Sequence, residues 1–131
     1  MFAELFILLY AAHLAADYPL QTDHQAAHKA DGGGAGWRAN LAHAGTHVAA
    51  CGVALLVGGL VLGTGAGVWA SVLALVWIGG THAVIDRRWP VRWWMRVARQ
   101  ETFAQHGGAA HVDQTAHVLA LVVAALVLAA V

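Results

Sequence analysis

Four mainly apolar stretches run through the chain, roughly residues 2–21, 39–62, 68–87 and 113–131, and each carries two ionisable residues spaced four apart. The pairs are His13 and Asp17, His43 and His47, His82 and Asp86, and Asp113 and His117. A spacing of i, i+4 puts both side chains on one helix face, about a turn apart. Imidazoles and carboxylates are costly in a lipid-filled interior. The chain is therefore restricted to folds in which these four faces meet one another.

Composition points to a membrane. Only 11% of residues are charged and mean hydropathy is +0.62, against about 25% charged for an ordinary soluble domain. Net charge is zero with histidines neutral, so no nucleic-acid partner is indicated. The length, 131 residues, suits a single domain. Cys51 is the only cysteine, which excludes an internal disulfide, and its apolar surroundings assign it to packing. The opening MFAELFILLYAAHLAA has no positive n-region and reads as a retained span, not a cleaved signal.

A bilayer core of about 30 Å takes ~20 helical residues, so the four stretches predict an all-α, up-down four-helix bundle. Residues 22–38, with the DGGGAG run, read as a flexible loop, and GTGAG at 63–67 as a short turn. Gly59, Gly63 and Gly67 match a small-xxx-small pattern, but they fall in or beside that turn. Lys29 and Arg38 lie in the first connection, and the other five arginines lie at residues 87–99. The positive-inside rule then makes both long connections cytoplasmic and both termini external.

Within the third connection, residues 90–100 predict an amphipathic helix lying in the interface. Arg92, Arg96 and Arg99 form one stripe, suited to lipid phosphates, and Trp93 and Trp94 lie beside it at headgroup level. This helix is either a plain anchor or a guide for a lipid substrate.

Odd spans carry their pairs near their ends and even spans near their beginnings. An up-down bundle therefore brings all four pairs to one level, roughly 5–12 Å inside the cytoplasmic edge of the apolar core. Three carboxylates gathered there need compensation. Two divalent ions would supply it, leaving one positive charge for a hydroxide. His13, Asp17, His43, His47, His82, Asp86, Asp113 and His117 offer enough nitrogen and oxygen donors for one or two ions, zinc first, with manganese or iron as alternatives. Gln21, Asp23, Asn40 and Gln114 read as groups that cap helices or hydrogen-bond the ligands. Asp86 and Asp113, near the interface, could also serve in that way. His24, His28, His106 and His111 read as solvated loop residues. Competing accounts of the pairs are polar packing, a proton or ion relay, and haem held between two histidines, which the adjacent carboxylates suit badly.

HLAADYPLQTD, the lysine that follows it, LAHAGTH, THAVIDR and the closing VDQTAH resemble, in order, the blocks of a bacterial membrane family catalogued as domain of unknown function 3307. The resemblance covers nearly the whole chain and implies a small multi-span protein of the inner membrane; it implies no activity. Its blocks include Gln21, Thr22 and Gln114 besides the paired residues. The HxxxD style is also similar, more distantly, to membrane-bound metal-dependent hydrolases.

Three functions follow as expectations. The first is a metal-dependent hydrolase acting at the cytoplasmic leaflet on a phosphoester or lipid-like substrate, with membrane lipid or a small molecule as partner. Ser71, the only serine, sits near the opposite face, which favours activated water over a covalent intermediate. The second is a metal-ion or proton transporter, against which the apolar outer halves of the spans argue. The third is a non-enzymatic, metal-stabilised membrane module. Small-residue faces (Ala11, Ala12, Ala15, Ala16; Gly45, Gly52, Gly59) would permit a homo-oligomer.

Overall fold

The computed structural model describes all 131 residues and is entirely helical. In chain order the elements are α1 (Phe2–Asp17), α2 (Asp23–His28), α3 (Gly33–Leu62), α4 (Val68–Ile85), α5 (Trp89–Val97), α6 (Glu101–Phe103), a π-helical segment (Ala104–Gly108) and α7 (Ala109–Ala129). Helices α1 and α4 each pack between α3 and α7, so the four long helices form a closed square. Three segments are long and apolar enough to cross a membrane: α3, α4 and the run Glu101–Ala129.

Helix α1 ends at Asp17, earlier than the apolar stretch predicts, and its 16 residues fall short of that length. The cause is Pro19, which has no N–H to give to the Ala15 carbonyl. The chain closes instead through Leu20 N–H to the Ala15 carbonyl, 3.1 Å. The first connection is correspondingly not a loop. Thr22 and Gln25 form a capping box that starts α2 (Gln25 N to Thr22 Oγ1, 3.2 Å; Thr22 N to Gln25 Oε1, 3.0 Å). Most of the glycine run forms the first turn of α3, which begins six residues before the expected span. Gly36 is buried there, and a Cβ on it would collide with the backbone of Asp31. At the other end Gly63 caps α3 with φ +66°, a conformation that glycine adopts without steric cost.

The third connection is also more regular than expected. Helix α5 buries Val91 and Met95, one turn apart, and leaves Arg92, Trp93, Trp94 and Arg96 outside. It ends at Val97, short of residue 100. Arg99 is therefore off the helical stripe, in a left-handed conformation (φ 54°). A kink at His106 and Gly107 joins α6 to α7, which starts four residues before the expected span.

The bundle interior has two ends of opposite character. Leu5 and Leu9 of α1, Cys51 of α3, Ile78 of α4, and Leu121 and Leu128 of α7 form a dry cluster at one end. The other end holds the ionisable pairs. Outside, Ile7, Leu41, Val53, Leu56, Leu60, Leu73, Val76, Leu119 and Leu126 stand exposed around the bundle.

Candidate metal centre

The helices carry their paired residues to one level because antiparallel neighbours place the late turns of α1 and α4 beside the early turns of α3 and α7. His13, His43, His47, His82 and His117 are each at most 3% exposed, with Asp17 and Asp86 at 8% and 4%. Imidazoles from all four helices crowd together, with ring centroids 3.5 Å apart for His47 and His82 and 4.3 Å for His82 and His117.

Two sets of donor atoms converge, with all atoms within 4.8 Å of one another in each set. One comes from Asp17, His43, His47 and His82; the other comes from His82, Asp86 and His117. Asp17 Oδ1 is 3.3 Å from His43 Nε2 and 3.2 Å from His47 Nε2. Asp86 Oδ2 is 3.1 Å from His82 Nε2 and 3.5 Å from His43 Nε2. Donors held 2.0–2.1 Å from a tetrahedral zinc lie about 3.3–3.4 Å from each other. Several buried nitrogens of the cluster make no hydrogen bond: His13 Nε2, His43 Nδ1, His82 Nε2 and His117 Nε2. Buried polar atoms left in that state are costly. The chemistry and spacing of the donors fit a divalent ion.

The remaining polar residues divide by what they touch. His117 Nδ1 donates to the Asp113 carbonyl oxygen at 3.0 Å, which leaves Nε2 free to face the cluster. The Asp113 carboxylate is 3.4 Å from the same Nδ1, with its side chain 26% exposed, and belongs to neither donor set. His13 also lies outside both sets. Its Nδ1 pairs with His47 Nδ1 at 3.2 Å and its Nε2 stands 3.1 Å from Asp17 Oδ2. With the shared proton on His47 Nδ1, the His47 Nε2 lone pair is free to ligate. Gln21 Nε2 donates to the Asp17 carbonyl oxygen (2.9 Å), and Gln114 Nε2 to Asp17 Oδ2 (3.4 Å). Asn40 is fully buried with both amide atoms unpartnered, so it bonds no ligand. Asp23 is exposed on the first turn of α2 and touches none of the cluster; the cap there is Thr22. Among the outer histidines, His28 pairs with Asp31 at 2.7 Å on the surface and His106 bonds the Thr102 carbonyl.

One participant was missed. Lys29, the only lysine, places Nζ 3.1 Å from Asp86 Oδ2 and 3.2 Å from His43 Nε2. In the sequence it served only as a topology marker and as part of a familiar block. The signal that could have found it was the charge balance, since buried carboxylates needed a cation and Lys29 follows the HxxxD helix. Arg87 sets its position by donating to the carbonyls of Lys29 (2.9 Å) and Asp31 (2.6 Å), and it also stacks 4.6 Å over Trp37. A cavity of about 470 Å³ opens beside the cluster, bounded by Lys29, Asp86, Arg88, Val91, Arg92 and Asp113.

Fold and site together define a class: an all-helical bundle with spanning-length helices around a buried histidine–aspartate cluster. The family model for proteins of unknown function, DUF3307, matches residues 5–131, and the chain belongs to that family. No curated protein and no solved structure matches it.

Proposed function

We propose that the protein is an integral membrane metal-dependent hydrolase. In this reading all four long helices cross a bacterial inner membrane, α1 completing its crossing through residues 18–20, with both termini outside and the cluster toward the cytoplasm. The observation that carries it is the convergence of buried histidine nitrogens that make no hydrogen bond with aspartate oxygens at ligand-to-ligand spacing, beside a cavity.

Charge favours one ion over two. Asp17 and Asp86 are the buried carboxylates, and the Lys29 ammonium already offsets Asp86. A single dication at Asp17, His43, His47 and His82 leaves the centre with one surplus positive charge, suited to an anionic substrate. Binding the ion takes the His43 Nε2 lone pair from Lys29, whose ammonium stays on Asp86. Zinc suits this mixed nitrogen and oxygen set, and manganese or iron are the alternatives. When bound, the ion lowers the pKa of water and polarises an ester oxygen. The chain does the rest. His13 and Gln114 hold Asp17 in place, the Asp113 carbonyl fixes the His117 tautomer, and His117 Nε2 faces the cluster as a proton carrier. The substrate class is a phosphoester or similar anionic ester.

Transport is disfavoured by the dry plug of Leu5, Leu9, Ile78, Leu121 and Leu128 between the cluster and the far end. A closed, purely structural metal site is disfavoured by the adjoining cavity. The test is elemental analysis of protein purified without chelator, with hydrolysis of p-nitrophenyl phosphate before and after chelation. One equivalent of transition metal and metal-dependent turnover are expected. Folded protein that never holds a metal would overturn the reading.

A further inference from the structure

Two cavities meet at one residue. The first is the polar cavity beside the cluster, where Lys29, Arg88 and Arg92 face Asp86 and Asp113. The second, of about 440 Å³, lies between α4, α5 and α7 and is almost wholly apolar, walled by Ile85, Trp93, Trp94, Val112, Ala116 and Leu119. Val91 of α5 lines both. A molecule with its head in the first and its tail in the second need only pass this one side chain.

The cations of the polar cavity are not all engaged. Lys29 is paired with Asp86, but the Arg88 guanidinium makes no hydrogen bond or ion pair. Arg92 uses only Nε, at 3.4 Å to the Arg88 carbonyl, so its Nη groups are free. Planar arginine forks match phosphate oxygens, and two free ones beside a buried cluster favour an anion there. On the apolar side Trp93 and Trp94 line the cavity and are about half exposed. An apolar opening beside a cationic one, on a helix suited to the headgroup level, selects an amphiphile.

We propose that the site takes a single-chain lipid phosphate: the phosphate sits against Arg88 and Arg92, and the chain lies in the cavity between α4, α5 and α7. This rests on the hydrolase reading for the fate of the phosphoester, but not for binding itself. Hydrolysis would break the ester P–O bond, deliver the water oxygen to phosphorus and its proton to the departing alkoxide, and release phosphate and a neutral lipid alcohol. The alcohol loses its grip on the arginines, so product leaves more readily than substrate.

The test uses the full-length protein in phosphatidylcholine nanodiscs and lysophosphatidic acid with a brominated acyl chain, which quenches nearby tryptophan fluorescence. Monoacylglycerol with the same chain and free inorganic phosphate are the other two arms. Quenching by the lysophosphatidate is expected to half-saturate at a concentration at least tenfold below that of the monoacylglycerol. It should resist millimolar inorganic phosphate and shrink when Trp93 and Trp94 are both changed to Phe. Arg92→Ala should weaken the lysophosphatidate at least fivefold and leave the monoacylglycerol alone. Ala116→Trp should block the chain, and the Arg92 and tryptophan variants, on exposed positions, test the proposal without disturbing the packing. Equal quenching by both lipids, or displacement by inorganic phosphate at matching concentration, would overturn the proposal. Chelated protein should still bind lysophosphatidate, so failure of the metal reading leaves this signal intact. Loss of the signal with p-nitrophenyl phosphate turnover retained would sink the lipid proposal alone.

Discussion

Lys29 Nζ stands 3.1 Å from Asp86 Oδ2, so the chain's only lysine neutralises one of the two carboxylates buried in the bundle. It reaches there from outside the four long helices. Arg87 holds the Lys29 and Asp31 carbonyls and thereby pins the connection across the bundle mouth. A cation provided by the chain itself changes how many metal ions the cluster can accept.

Lys29→Met should separate these roles. In chelated protein the variant leaves Asp86 unpaired and should lose about 3 kcal/mol of stability, the usual order for breaking a buried pair. Excess zinc should restore it, because the freed Asp86 carboxylate and His117 can then hold a second ion beside the first. Elemental analysis should show zinc rising from one toward two equivalents. An unchanged stoichiometry would place the ion elsewhere.

His47 and His13 should behave differently although they touch. His47→Ala removes a ligand and should reduce metal content below a tenth of an equivalent and abolish turnover. His13→Ala removes only the partner of His47 Nδ1 and Asp17 Oδ2, so roughly 10–100-fold weaker zinc binding is expected with stoichiometry still one. Competition with a chromogenic chelator measures both. Equal loss from the two variants would make His13 a ligand.

The clamp is testable without metal. Arg87→Ala deletes two hydrogen bonds from a charged donor and should cost about 2 kcal/mol. The same loosening should reduce the effect of a following Lys29→Met, a coupling that a double-mutant cycle reads directly. Additive effects would mean that Arg87 does not position Lys29.

Gly36→Ala should also displace the connection. The added Cβ meets the backbone of Asp31, which cannot move without disturbing the carbonyl bound by Arg87. A loss of about 1–3 kcal/mol is expected in thermal unfolding, as for other overpacked sites. Gly34→Ala, where a Cβ would meet nothing within 4 Å, is the control and should be nearly neutral.

Orientation in the membrane can be read by cysteine labelling in a Cys51→Ala background. A cysteine at Thr102 should react with a membrane-impermeant maleimide only from the cytoplasmic side, and one at Gly65 only from outside. The reverse pattern would invert the topology and move the cluster to the outer leaflet.

Much of this protein was legible in one dimension. Helical identity, the apolar stretches and the spacing of His13–Asp17, His43–His47, His82–Asp86 and Asp113–His117 follow from local periodicity, and an antiparallel order brings such pairs to one depth. These inferences need only the 3.6-residue repeat and the cost of burying charge. The hierarchy within the cluster was not legible. Asp113 and His13 have the same residue types and spacing as the others, yet one turns toward the edge and the other backs His47, because packing decides where each face points. Asp23 looked like a supporting group and lies on the surface, since Pro19 ended α1 and Thr22 opened a new helix. Arg87 is far in sequence from Lys29 and Gly36, and none of the three carries a periodic signal; only the folded connection, closed over the bundle, set an ammonium against Asp86.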